Sequence, residues 1–563
     1  MARHGLFAVT VALGLVAAAW ADDDSPGPTG ETATGATGNG STGPTGSTTG
    51  GSGSLARSAA KRITPQELAE WIDARFAQEY ERGGEQPAPL VDDATFLRRL
   101  YLDLQGRIPT VAQARDFVGD QGTLKRQNYV ERLMSANERP DRFADRTSQH
   151  LSRVWRRMMV PASAPGAGLA VQLDPWLARQ FAANTPYDQF ARKLLLVSFQ
   201  PPMPGVVPPQ NQPADPDAAA AVFQQAVGPM PENLASAYVR VFLGVRLNCA
   251  QCHDHPFTDW KRADFWGVAA LFSGDGSKPD ESRPAPTIVA DSNLGLTYTA
   301  KLLWSAEPLK EIPGGKSPRE VLAEWMTSPE NPNFAATAVN RTWQYLCGRG
   351  LAGSVDDLDR VSAGERRVLD DLAKLFVESG YDLRWLTVGI CQSRTYQQSY
   401  RPEAAEEESF THRPLKTLLP EQVFDSLEQA LGLPVAKADN GPRFNGERAQ
   451  FVSRMNESAA ETPVDYKGGI PQALMLMNGK LTAEATNLDS SRTLRAVIEA
   501  PFLSTEEKIE ALYLAALTRR PTEEEMVYLL NHVRQPSDDQ ERKQAYAQIL
   551  WGLINSPEFV LSR

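Results

Sequence analysis

A recurring helix-start signal constrains this chain more than any other feature. Thr64-Pro65-Gln66-Glu67 places a capping hydroxyl before proline, with a carboxylate three positions on. That carboxylate can reach back to the cap's own N–H, so two orphan donors of a first helical turn are satisfied together. Thr110 with Gln113 and Ser317-Pro318-Arg319-Glu320 repeat the signal. Apolar residues at helical spacing follow: Leu68, Trp71, Ile72 and Phe76 after the first cap, and Phe96, Leu97, Leu100 and Leu104 within 92–105. The pattern predicts two further helices within 126–155, broken around 137–140, and others over 176–196 (restarted at Thr185-Pro186), 232–247 and 262–272. Others follow over 317–326, 334–346, 365–378, 383–393, 420–431, 471–488, 505–518, 522–533 and 539–554. The expected fold class is mainly α: two helical domains with a short β-hairpin or irregular connector.

The segments divide as follows. Residues 1–21 read as a secretory signal, with Arg3 and His4 ahead of an apolar run and a small-x-small site at Ala19-Trp20-Ala21. Residues 22–62 form a Gly/Thr/Ser-rich spacer in which a Gly-X-Y period keeps breaking, so a collagen helix is not expected. An N-terminal helical domain over 63–272 contains a loop at 201–216 with seven prolines. A connector over 273–316 carries one alternating pair of runs, 287–289 and 296–299, suited to a hairpin. The C-terminal helical domain is 317–563. A net charge of −11 with no basic cluster argues against nucleic acid as a partner. No stable transmembrane anchor is expected once the signal is removed, and the expected location is periplasmic or extracellular.

Two of the four cysteines and two of the six histidines fall in Cys249-Ala250-Gln251-Cys252-His253-Asp254-His255. Cys-x-x-Cys-His is the attachment pattern of a c-type haem. Two thiols three positions apart can bond the two vinyl groups of one porphyrin, and the next histidine then meets the iron as proximal ligand. Three uses compete: haem c on Cys249, Cys252 and His253; zinc on Cys249, Cys252, His255 and a remote ligand; or a Cys249–Cys252 disulfide. Haem leads because zinc has no use for a histidine adjacent to Cys252. Asp254 and His255 are candidate second-shell groups beside His253. Phe257, Trp260, Phe265 and Trp266 are candidate walls for a porphyrin, or ordinary core aromatics. The distal ligand is unknown; His150, Met158, Met159 and Met230 are the nearby side chains of the right type. Export makes a Cys347–Cys391 disulfide a candidate, against two buried free thiols. Asp356, Asp357 and Asp359 form an acidic group suited to a cation or, more simply, to a solvated loop. Asn340, Arg341 and Trp343 are candidates for a binding cleft or for helix packing. Gly315-Lys316-Ser317 lacks the earlier glycine of a phosphate loop, since position 310 is Lys310. No His-Glu-x-x-His or Gly-x-Ser-x-Gly pattern occurs.

Longer motifs carry a family resemblance. Phe96-Leu97-Arg98-Arg99-Leu100-Tyr101-Leu102-Asp103-Leu104-Gln105-Gly106-Arg107-Ile108-Pro109-Thr110, Pro186-Tyr187-Asp188-Gln189-Phe190 and 242–257 are similar to one domain. Pro318-Arg319-Glu320-Val321-Leu322-Ala323-Glu324-Trp325, 327–332, Val339-Asn340-Arg341-Thr342-Trp343, Ser393-Arg394-Thr395-Tyr396-Gln397 and Asn555-Ser556-Pro557-Glu558-Phe559 are similar to a second. Together they resemble the secreted planctomycete-type cytochrome-associated proteins with domains of unknown function 1549 and 1553. The resemblance implies export and a two-domain layout, and leaves the reaction open. Many members carry a further cytochrome c domain where this chain has its spacer, so a second haem is not expected. Cys347 and Cys391 stand where the family usually has a large apolar residue. The expected function is an exported c-type haem protein in redox or electron transfer at the cell envelope, with a redox partner protein or an extracellular substrate. The alternatives are a non-haem scaffold holding zinc or a disulfide, and a haem-dependent enzyme on an extracellular substrate such as polysaccharide.

Overall fold

A computed structural model describes residues 62–135, 144–197, 217–274, 278, 280–291, 295–402, 410–433, 442–455, 470–479, 482–483, 487–488 and 490–563. The expected signal at 1–21, almost all of the expected spacer and the proline-rich stretch 201–216 lie outside these residues.

The capping signals become helices as their chemistry requires. Helix Pro65–Gly83 opens on Thr64, whose hydroxyl accepts from the Glu67 N–H while the Glu67 carboxylate accepts from the Thr64 N–H. It ends at Gly84 in the left-handed region. Helices Val111–Gly119 and Pro318–Met326 open on the same reciprocal pair. The architecture is mainly α. Helices occupy most of the described chain, and the strands form only two-stranded pieces. The alternating runs of the connector do pair, as antiparallel Thr287–Asp291 and Leu296–Thr299 with Ile288 opposite Tyr298. Among the described residues no helix is long and apolar enough to cross a membrane.

The two helical stretches share one continuous core, running from Leu68 to Phe559. Helix Pro65–Gly83 packs on Leu383–Gln392 at Gly389, where a Cβ would overlap the Leu68 side chain. Only glycine allows the backbones so close. The stretch after the first helix pairs with the second half as well: Ala88 N–H donates to Thr411 O at 2.6 Å, and Val91 N–H to Gln397 O at 2.9 Å.

Helix Asp93–Gln105 is buried all round, polar residues included. The Asp103 carboxylate accepts from Lys416 Nζ at 2.8 Å, Tyr396 Oη at 2.9 Å and Arg413 Nη2 at 3.2 Å. Arg98 donates to the carbonyls of Ala516 and Phe559, each at 2.9 Å. Burying charges is costly, and these hydrogen bonds offset much of the cost, although Arg98 Nε and Arg413 Nε and Nη1 find no partner among the described residues. Every one of those partners comes from the second half of the chain.

One helix ends earlier than its apolar pattern suggests. The expected 232–247 helix is Pro231–Leu243, because Gly244 turns left-handed at φ 61°. Val245 and Leu247 remain buried beyond the helix, which is why the apolar pattern outruns it.

Candidate cofactor-attachment site

The cysteine motif occupies a surface loop after helix Pro231–Leu243. Asn248–Gln251 form one 3-10 turn. Ala250 and Leu247 face inward, leaving Cys249 and Cys252 exposed as free thiols. The turn is tied down at both ends. Ser236 Oγ donates to Asn248 Oδ1 at 2.6 Å, and Trp266 Nε1 donates to Gln251 O at 2.9 Å. The loop then closes with the His255 N–H donating to Trp260 O at 2.8 Å, and helix Arg262–Ala270 begins.

The two histidines are held in opposite tautomers. His253 Nδ1 lies 2.7 Å from the carbonyl oxygen of Asp254. A carbonyl only accepts, so Nδ1 carries the proton and the Nε2 of the neutral ring has its lone pair free. His255 Nδ1 instead accepts from the Phe257 N–H at 3.2 Å, which puts the proton of its neutral ring on Nε2. Between them, Asp254 Oδ1 accepts from the Arg262 N–H at 2.9 Å, at the start of a helix. That N–H, aided by the Lys261 ammonium, holds the Asp254 carboxyl below its usual range.

The aromatic candidates separate. Phe265 and Trp266 are buried in the core, while Phe257 is 78% exposed beside His255. Trp260 is half-buried and meets Trp304 edge-on at 5.9 Å, and Trp304 in turn contacts Trp325 at 5.8 Å.

The candidate distal ligands lie in other settings. His150 is buried, with Nε2 at 2.7 Å from Tyr345 Oη. Tyr345 spends its single proton on Asp103 O, so His150 Nε2 must donate. Met158 and Met159 are buried, and Met230 is exposed. A pocket of about 40 Å³, lined in part by Met158, Trp155, Phe190 and Tyr345, includes no residue of the 248–257 loop. Among the described residues, no three His, Cys, Asp or Glu side chains are grouped to hold a metal ion. Cys347 and Cys391 are both buried and free, and burial pushes both thiols up, Cys347 to about 11.

Within the acidic group after helix Phe334–Cys347, Asp356 is buried and Asp357 and Asp359 are partly exposed. Asp356 is 2% exposed and faces Arg341, Arg240 and Arg246. Asp359 Oδ2 accepts from Trp260 Nε1 at 2.5 Å. Asn340, Arg341 and Trp343 are buried packing residues, not cleft residues. Asn340 Oδ1 accepts from the Leu351 N–H at 2.6 Å, and Trp343 stacks on Phe76. The sequence placed Asp103 within the 96–110 motif, and nothing there pointed to its partners Tyr396, Arg413 and Lys416.

Two family models match the chain. One, described as a protein of unknown function (DUF1549), matches residues 71–275. The other, described as a protein of unknown function (DUF1553), matches residues 318–462. The chain belongs to this two-domain family. No curated protein and no solved structure matches it. In the family's terms, the cysteine loop lies near the end of the DUF1549 match. Asp356 and Asp359, which reach toward that loop, lie inside the DUF1553 match.

The donor set of the loop fits a c-type haem. Both thiols are accessible from solvent, and the adjacent histidine has its Nε2 lone pair unspent. A neutral imidazole whose Nδ1 is held by a main-chain carbonyl is the usual preparation of a metal-ligating histidine.

Proposed function

We propose that this chain is an exported c-type haem protein that takes part in redox or electron-transfer chemistry at the cell envelope. The observation that carries the reading is the pairing of two exposed thiols, Cys249 and Cys252, with the free Nε2 of His253. Cys249 and Cys252 would hold the haem as thioethers, each thiol adding across one vinyl group with a C–S and a C–H bond formed and no atom lost. His253, its ring oriented by Asp254 O, would offer its Nε2 to the iron. Haem, once bound, supplies one-electron chemistry at a potential set by its ligands and surroundings. This chain's own residues hold the turn through Ser236 and Trp266 and offer Phe257 as an apolar face beside the loop. The zinc reading draws on His255, whose Nδ1 already accepts from Phe257. Export follows from the signal-like residues 1–21, and the expected partner is a redox protein or an extracellular substrate.

The test is expression with a c-type maturation system, followed by denaturing electrophoresis and a haem stain. Haem should stay on the parent, should be retained less by Cys249→Ala and Cys252→Ala, and should change its iron spectrum in His253→Ala. A colourless parent with both thiols free or zinc-bound contradicts the reading.

A further inference from the structure

We propose that the second domain positions the cysteine loop, with Asp356 the positioning residue at its entry and Asp359 holding its exit through Trp260. The purpose assigned to this clamp rests on the haem reading; its geometry does not.

The entry shows why. A helix leaves its last carbonyls without intrahelical partners. In helix Pro231–Leu243, the Gly244 N–H already donates to Arg240 O at 3.2 Å, and the other half of the chain adds donors to this and the following carbonyls. Arg341 donates through Nη2 to Arg240 O at 2.8 Å and through Nε to Val241 O at 3.2 Å. Asn333 Nδ2 donates to Leu243 O at 3.0 Å, and the Leu358 N–H to Gly244 O at 2.9 Å. A guanidinium at this end also complements the helix dipole. Arg341 is fixed there by Asp356, which also faces Arg240 at 3.4 Å and Arg246 at 3.6 Å. One buried carboxylate thus orients three guanidiniums, two of them within ten residues of Cys249. At the exit, Asp359 accepts from Trp260, whose main-chain oxygen closes the loop on the His255 N–H. Both ends of the loop therefore stop on the same short segment of the second domain. Fixing them fixes the spacing of Cys249, Cys252 and His253, which attachment and iron ligation both need.

Amide hydrogen exchange on the full chain tests this without haem. In Asp356→Asn and Trp260→Phe, the His255 and Phe257 amides should exchange about tenfold faster or more, while helix Asp93–Gln105 stays within about twofold of the parent. Asp356→Glu should recover part of the protection. If Asp356→Asn does not fold, Trp260→Phe and Asp359→Ala decide, since both side chains are only partly buried. Unchanged loop exchange in those two variants, or a rise that is equal everywhere, overturns the proposal. In haem-loaded protein, the Asp356→Asn iron spectrum and midpoint potential should shift from the parent's. If the parent takes no haem, the haem reading falls and the exchange result alone judges the clamp.

Discussion

The main-chain N–H of Leu358 donates to the carbonyl oxygen of Gly244 at 2.9 Å, joining the two family domains one turn before the cysteine loop. Gly244 sits at φ 61°. A Cβ there would lie 2.9 Å from Val355 O and 3.0 Å from Thr337 Oγ1. Gly244→Ala thus meets both an unfavourable backbone region and a crowded contact. The left-handed conformation alone costs about 1–2 kcal/mol for a residue with a side chain. Urea unfolding should give a loss of at least that size. A loss below about 0.5 kcal/mol would mean that the loop readily gives way.

Gly389 and Leu68 provide a separate test of the shared core. Leu68→Ala should destabilise by about 2–5 kcal/mol as a cavity opens, and Gly389→Ala by about 1–3 kcal/mol through overpacking. The new methyl at 389 points at the Leu68 side chain, so the double variant should lose less than the sum of the two. Strict additivity in denaturant unfolding would show that the two positions do not touch.

His150 gives the fold a pH dependence. Burial, and secondarily Arg153, lower its pKa from 6.5 to about 4. The folded state holds the ring neutral, and the unfolded chain takes up a proton near pH 6.5. This contribution is therefore fully present above about pH 6.5 and is lost as pH falls toward about 4, by roughly 3 kcal/mol in all. His150→Phe should flatten the stability profile over that window. A profile as steep as the parent's would place the titrating group elsewhere.

Asp103 joins the halves by charge. Asp103→Asn leaves Arg413 and Lys416 buried without their counter-charge, and breaking such a buried pair costs about 3–5 kcal/mol. Thermal unfolding should show a large drop in midpoint for this variant. Exposed Asp539→Asn, which pairs with Arg542 three positions on in its own helix, should change little.

The helices were legible in sequence wherever a local signal set them. Thr64 and Glu67 fix a helix start between themselves, as do Ser317 and Glu320, and neighbouring side chains suffice for that chemistry. The end at Gly244 was not legible, because Val245 and Leu247 prolong the apolar pattern for the sake of a core contact. The role of Asp356 was hidden for a similar reason. A run of acidic residues looks solvated until Arg341 of the preceding helix, and Arg240 and Arg246 from around the end of helix Pro231–Leu243, are brought to face it. The cysteine motif was legible as a pattern, since its chemistry lies within five consecutive residues. The tautomers of His253 and His255 depend on main-chain groups that only the folded loop brings near.

Whether Cys249 and Cys252 carry haem is read most directly by mass spectrometry of the protein after export in a host with c-type maturation, followed by mapping of the peptide that contains 249–253. One haem added to the intact chain is expected, with both cysteines blocked to alkylation as thioethers. An unmodified chain whose two cysteines both alkylate, or are linked only to each other, would contradict the haem reading.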